Sequence, residues 1–422
     1  MAPNIFVGKD CRWDVNDSQG TAALNKGHLA LLKEKIMRNL IFSMLLGANV
    51  LAIAGTALAD ESDHKESRGV LSIAVFGDSP YGNNDADTAQ FLATPAFIKS
   101  INDDSDVSLV LHVGDIHSGK QTCSLGYNQS IYDMWKAFKS PVVYTPGDNE
   151  WTDCNKSKEG GLDPLVNLGY VRDTFFATPG HAIAVDKPVL SQSQHYDPNY
   201  PKDAEYVENV MWEQSNVVFV TLNVPGGSNN DEDNWYGIDR TQPQTDEILN
   251  RTGADLRWLD KAFALAKASH AKAMVIQLQA DMWDLDGNQP SHIGAYRQFI
   301  DSIALHTTNF GKPVLLLNGD SHGYRSDNPL LKGAPCVTEK IGSQSTEVAC
   351  TNDAYNNQPN GYSVKNFHRI TVHGSNSVDN PNMEWLKLNV DRDDSDDHAS
   401  ASSFGPFSWK RMVQALPPKP KP

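Results

Sequence analysis

The chain has 422 residues, enough for one large domain or two ordinary ones, and 40% hydrophobic with 21% charged residues is the composition of a soluble globular protein, not a disordered or fibrous one. A formal net charge of −16 disfavours nucleic acid or an anionic membrane as a bulk electrostatic partner, so no nucleic-acid binding is expected. A phosphate ester stays open, because bound cations reverse the local field.

In chain order, Met37-Arg38-Asn39 opens the apolar run LIFSMLLGANVLAIAGTALA, which ends in Ala57-Leu58-Ala59 before the polar Asp60-Glu61-Ser62. A basic start, an apolar middle and an A-x-A exit describe a secretory signal peptide over 37–59. The alternative is an uncleaved anchor, since the run nearly reaches the ~20 residues of a membrane span. Small residues in its last third favour cleavage, which leaves no stable membrane span and sends the chain to a periplasm or outside the cell. Residues 1–36 precede a complete signal and read as an upstream extension, with Met37 as the natural start; a genuine extension is the alternative. Residues 60–69 read as a charged linker. Loss of the prefix removes Cys11 and leaves Cys123, Cys154, Cys336 and Cys350. An even set in an exported chain suits two disulfides. We favour Cys123–Cys154 and Cys336–Cys350 among the three pairings. Zinc ligation is the rival, weakened by the lack of any C-x-x-C spacing.

From residue 70 onward, apolar β-forming runs alternate with helical patterns. Strands are expected near Val70–Phe76, Val107–Val113 and Pro141–Thr145. Helices are expected over Thr88–Ile101, Ser130–Phe138 and Leu165–Phe175. This β-α-β-α order predicts a substantially parallel sheet. The middle, from His181 to Gly237, mixes strands such as Asn216–Asn223 with polar loops. A helix over Gly253–Ser269 shows an apolar face of Leu256, Leu259, Phe263, Leu265 and Ala266. Strand Ala273–Leu278, a helix over Gly294–Leu305 and strand Pro313–Asn318 follow. Late strands near His368–His373 and Glu384–Val390 suggest a second sheet layer. Residues 70–390 are expected to form the folded domain. The tail 391–422 turns acidic, then Ser-rich, ends in PPKPKP, and is expected to be disordered.

Four acidic turns close apolar runs: GDSPY (Asp78), GDIHSG (Asp115), PGDNEW (Asp148) and NGDSHGYR (Asp320, His322). A strand ending in Gly-Asp presents a carboxylate at the carboxyl edge of a sheet, where open α/β sheets bind their ligands. One such turn is commonplace. Four carboxylates gathered there would repel one another unless a cation or proton lay between them, so the set points to a metal site.

The ordered set resembles the calcineurin-like metallophosphoesterase superfamily over roughly Leu71 to Val390. The resemblance implies an α/β fold of two facing mixed β-sheets flanked by helices, with two divalent metal ions held by strand-end loops. It makes Asp78 a ligand of one metal and Asp115 the bridge between both. Asp148 and Asn149 stand where the family motif has asparagine and histidine, and Glu150 keeps the acidic position after them. Gln279, in IQLQADMWD, takes the place of an isolated histidine ligand. Asp320 replaces the first histidine of GHxH and His322 retains the second. The expected metal ligands are therefore Asp78, Asp115, Asp148, Gln279, Asp320 and His322.

An oxygen-rich set favours manganese, magnesium or calcium over zinc. Asn149 can donate a hydrogen bond but cannot transfer a proton at neutral pH; His117 is the candidate substitute, and a surface loop position is its plainer alternative. Lys120 and Arg325 flank two motifs and are candidates to steady phosphate oxygens, Arg325 by a bidentate fork. His373, beside Gly374, is a further histidine within possible reach of the site. The activity implied is hydrolysis of small phosphate mono- or diesters by metal-activated water. Two readings compete with it: a catalytically degenerate metal- or ligand-binding protein on the same fold, and a calcium-stabilised structural domain.

Overall fold

The structure, a computed structural model, describes residues 70–414 except 83–87, 232–233, 285–289, 341–342, 351–360, 376–382, 392–399 and 401. The expected signal peptide, the segment before it, the linker and the Pro-rich terminus lie outside the described residues. Among the described residues no helix is long and apolar enough to cross a membrane.

The chain runs β1 (Leu71–Phe76), α1 (Thr88–Asp103), β2 (Val107–His112), α2 (Leu125–Trp135), β3 (Val142–Tyr144), α3 (Pro164–Phe175), β4 (Leu190–Ser191), β5 (Val210–Gln214), β6 (Val217–Thr221), α4 (Gln242–Ala268), β7 (Ala273–Gln277), α5 (Arg297–Phe310) and β8 (Val314–Asn318). It continues through β9 (Arg325–Asp327), β10 (Val337–Lys340), β11 (Ser343–Ala349), β12 (Phe367–Thr371), β13 (Met383–Val390), β14 (Ser403–Phe404) and β15 (Phe407–Gln414). One sheet has the order β14-β15-β13-β1-β2-β3 and the other β11-β10-β9-β12-β8-β7-β6-β5-β4. β1, β2 and β3 pair in parallel, and so do β6, β7, β8 and β12; the flanking strands are antiparallel.

Period-two alternation builds the layers. Ile73, Val75, Leu109 and Leu111 of the first sheet meet Phe219, Val275, Leu315, Leu317 and Ile370 of the second in one core. The opposite faces carry Ala74, Phe76 and Val110 against α1 and α2 (Phe97, Ile131, Trp135), and Met274, Ile276 and Leu316 against α4 and α5 (Trp258, Phe263, Phe299, Ile303). The result is the expected sandwich of two facing mixed sheets with helices outside both. At the carboxyl ends, Gln277 donates across the sheets to the His112 carbonyl at 2.8 Å and Thr145 to the Leu222 carbonyl at 2.9 Å, which fixes how closely the strand-end loops approach.

Helix starts follow polar caps more than the apolar face. α2 begins at Leu125, not Ser130, because the Ser124 side chain caps it by accepting the Tyr127 N–H. α4 begins at Gln242, not Gly253: Thr241 caps the Gln244 N–H, and its first turns bury Glu247 and Arg251, which pair with each other. Their hydrogen bonds do the burying that apolar residues do further along. α5 spans Arg297–Phe310, and a separate short helix, Pro290–Ala295, precedes it.

The tail needs correction. Residues 407–414 form β15, paired antiparallel with the whole of β13 from Val390↔Phe407 to Met383↔Gln414, so the fold extends past residue 390. Phe404, Phe407 and Trp409 join the core between the sheets. The acidic and serine-rich composition of 391–403 masked the alternation in Phe407-Ser408-Trp409-Lys410. The Trp409 indole N–H donates to the Tyr324 hydroxyl at 2.9 Å, and its ring lies 5.3 Å from that of His368. Both favoured disulfides are formed, Cys123–Cys154 and Cys336–Cys350. Trp409→Ala is expected to lower unfolding free energy by about 3–5 kcal/mol, read from urea denaturation; an unchanged midpoint would place the tail outside the cooperative fold.

Candidate metal centre

Asp78 follows β1, Asp115 follows β2, Asp148 follows β3, Gln279 follows β7, Asp320 follows β8 and His373 follows β12. All lie at carboxyl ends of parallel strands. Asp78, Asp115, Asp320 and His322 have φ of 47°, 59°, 77° and 61°. This left-handed turn is one that aspartate and histidine tolerate better than most residues. Close approach demands glycine around these side chains, Gly147 and Gly226 among them. A Cβ at Gly147 would collide with the Asp115 carboxylate, and one at Gly226 would lie 2.6 Å from Asp320 Oδ1 and 2.7 Å from Asp148 Oδ2.

Two trios result. Ligand atoms of Asp78, Asp115 and His322 lie within 4.8 Å of one another, and so do those of Asp115, Asp148 and Asp320. Asp115 belongs to both, so a single carboxylate faces each trio. The donor set, four carboxylates and one imidazole with Asp78, Asp115 and Asp148 buried, fits a dinuclear metal site, since only cations or protons remove the repulsion at these separations.

Other residues hold these groups in place. The Asp320 N–H donates to both oxygens of Asp78, at 2.9 and 3.2 Å, and the Asp281 N–H to Asp320 Oδ2 at 3.0 Å. The Asn149 N–H reaches Asp115 Oδ1 at 3.3 Å. Glu150 Oε1 accepts the Tyr144 hydroxyl at 2.6 Å and the N–H groups of Ile116 and Gly147 at 3.2 Å each, so it pins the loops of Asp115 and Asp148 together. Cys123–Cys154 ties the same two loops further out.

The remaining expected site residues are placed as follows. Gln279 is fully buried; its Nε2 lies 3.1 Å from Asp115 Oδ2, 3.0 Å from Asp148 Oδ1 and 3.3 Å from Asp320 Oδ1, with its oxygen turned to the Gly226 N–H. The Asn149 side chain donates to the His117 carbonyl at 2.9 Å. His117 is buried, not on the surface; its Nδ1 lies 3.2 Å from the Ser118 carbonyl and its Nε2 has no partner. Burial lowers its pKa below the usual imidazole value. Arg325 is buried in β9 and paired through Nε with Asp327, so its fork is already engaged. Asp327 also takes Arg369 at 2.9 and 2.8 Å, and Arg369 binds Asp281. Lys120 is exposed.

Three neighbours escaped sequence reasoning. The Tyr81 hydroxyl lies 3.0 Å from His322 Nε2; it stands in GDSPY itself, and an aromatic three residues after a ligand was the available signal. His373 was noted, but not its partner: its Nδ1 lies 2.8 Å from Glu339 Oε2 and its Nε2 is buried without a partner. No spacing in the sequence points to Glu339. Asp281, two residues beyond Gln279, was visible in QLQAD and unused.

Burial is the main cause that raises Asp78, Asp115 and Asp320 well above the usual carboxylate range, with neighbouring carboxylates adding to it. Asp148 is pushed up to about 7, first by burial and then by Asp153, with Lys156 opposing. Burial also takes His322 down to about 4, so the ring is neutral and able to ligate at neutral pH. These folded carboxyls bind protons more tightly than unfolded ones, whose value is 3.8. They therefore favour the folded state at low pH, and that contribution is lost as pH rises through the raised values. The metal-stripped protein should melt at a lower temperature at about pH 8 than at about pH 5, and a divalent cation should restore the loss at the higher pH. Calorimetry showing no cation effect at the higher pH would count against a metal centre.

Comparison with known proteins adds the following. The family model for calcineurin-like phosphoesterase matches residues 71–324. A search of curated proteins returned no match. Among solved structures, the chain is similar to PhoD (12% identity, TM-score 0.39, 72% of this chain and 56% of that one). It is also similar to a purple acid phosphatase from yellow lupin (Lupinus luteus) seeds (14% identity, TM-score 0.38, 76% of this chain and 50% of that one). The chain thus spans about half the length of these two proteins.

Proposed function

Because the chain belongs to the calcineurin-like phosphoesterase family, we propose that it is an exported, metal-dependent enzyme that hydrolyses small phosphate mono- or diesters with a cation-activated water. The observation that carries this reading is the pair of trios sharing Asp115, each with two buried carboxylates. Asp78, Asp115 and His322 would hold one divalent cation, and Asp115, Asp148 and Asp320 the other. Oxygen-rich donors favour manganese, magnesium or calcium over zinc. Bound cations would supply Lewis-acid activation of water and neutralise charge on the phosphoryl oxygens. Export is supported by the signal-like segment and by two disulfides, which persist in oxidising compartments.

The protein's own groups position and screen. Asn149 orients Asp115 through its backbone N–H. His117, two residues from Asp115 with a free Nε2, is the group proposed to handle the leaving-group proton. Arg325 acts through Asp327, which anchors Arg369 and so the Asp281 N–H that fixes Asp320. One observation favours the second reading, a degenerate binding protein: the Asn149 amide is already bonded to the His117 carbonyl and carries no transferable proton.

Metal-stripped protein assayed with p-nitrophenyl phosphate and its bis ester should recover turnover on addition of Mn²⁺, Mg²⁺ or Ca²⁺. Asp115→Asn should lower kcat/KM by at least ~100-fold, the scale of metal-site lesions. Cation-dependent melting without turnover would establish the binding reading; no cation effect on melting or turnover would overturn both.

A further inference from the structure

We propose that Gln279 is not a metal ligand but a built-in occupant of the second trio, so that the two cation positions load unequally, one without and one only by displacing its amide. This rests on the two-cation reading of the centre and concerns how that centre fills.

The orientation of the amide is fixed by chemistry. A backbone N–H can only donate, so the group facing the Gly226 N–H must be Oε1. The NH₂ group therefore faces the carboxylates. It stands 3.0–3.3 Å from one oxygen each of Asp115, Asp148 and Asp320, the same three carboxylates that form the second trio. A neutral donor thus takes the place where a cation would be held. Two hydrogens face three acceptors, so the amide satisfies the trio only in part.

Turning the amide over is obstructed on each side. A flip would set NH₂ against the Gly226 N–H, donor against donor. The side chain is fully buried, and its Cβ and Cγ pack so closely on Gly114 that a Cβ there would lie 2.7 and 2.6 Å from them. Gly226 cannot retreat, because the next residues form a left-handed turn, with φ of 57°, 55°, 61° and 64° at Gly227, Ser228, Asn229 and Asn230. Arg251 clamps that turn: it donates to Asn229 Oδ1 at 2.6 Å, the Asn229 carbonyl at 3.1 Å and the Asn223 carbonyl at 3.2 Å. Among the described contacts Gln279 meets the first trio only through the shared Asp115. A cation at Asp78, Asp115 and His322 therefore meets only the Tyr81 hydroxyl, 3.0 Å from the single acceptor His322 Nε2, whereas one at Asp115, Asp148 and Asp320 must evict an amide that reaches all three carboxylates. Activity that needs both cations would then follow the weaker binding step.

The test is calorimetric titration of the full, metal-free protein with Mn²⁺ in the absence of any substrate, with electron paramagnetic resonance reporting when a coupled pair forms. Wild type should show two steps at least about tenfold apart in Kd, the scale on which supporting residues shift metal affinity. Gln279→Ala and Gln279→Met (the second keeps side-chain volume without a donor) should tighten the second step at least about tenfold and leave the first unchanged. A wild type that takes up one ion while both variants take up two also supports the proposal. Two equal steps in wild type, or a weaker second step in the variants, would overturn it, the latter by showing that the amide oxygen ligates. Failure of all three proteins to bind Mn²⁺ would overturn it together with the two-cation reading. Because no substrate is present, loss of the phosphoesterase assignment alone would leave these binding results standing.

Discussion

Four aspartates come together where the two sheets end, and their mutual repulsion in a desolvated cleft is the constraint that the surrounding structure answers. Asp78 is fully buried and Asp115 and Asp148 nearly so. Ionised carboxylates are not held there unless donors, protons or cations compensate. The fold supplies a donor to each: the Asp320 N–H to Asp78, the Asn149 N–H to Asp115, the Gln279 amide to Asp148 and the Asp281 N–H to Asp320. These donors orient the carboxylates without cancelling their charge, which leaves the centre receptive to divalent cations.

Rigidity comes from layers around that point. The core between the sheets sets how far apart the strand ends lie, and cross-sheet bonds from Gln277 and Thr145 close the gap just beneath the site. Glu150 gathers three donors, from the end of β3 and from the loops after β2 and β3, into one node. Arg369, fully buried, joins Asp281 to Asp327 on the other side. A buried pair of this kind contributes little net stability but is costly to leave half-made, so it holds the loop after β7 in one position. Tyr81 and the His373–Glu339 pair line the His322 side.

The metal centre and the chemistry stand on different footings. Two trios sharing Asp115 are a geometric fact, and the family match covers the strands that carry them. Proton handling is less conventional. Asn149 serves as a backbone donor and as a partner of the His117 carbonyl, and desolvation lowers the pKa of both His117 and His322.

Much of this was legible in the residues. Alternating apolar runs closed by Gly-Asp marked β1, β2, β3 and β8 and the carboxylates at their ends, because strand periodicity and turn chemistry are local properties. The cysteine pairs were legible for the same reason of spacing and compartment. Only the tertiary structure decided what depends on approach in space. It showed that β15 completes the first sheet, since pairing with β13 outweighs a disordered-looking composition before it. It engaged Arg325 with Asp327 and buried His117. It also turned Gln279 nitrogen-first toward three carboxylates, because the Gly226 N–H that orients the amide belongs to a loop 53 residues away in the chain. Sequence alone determined which groups arrive at the edge of the sheets; the facing of two sheets determined which atoms of those groups meet.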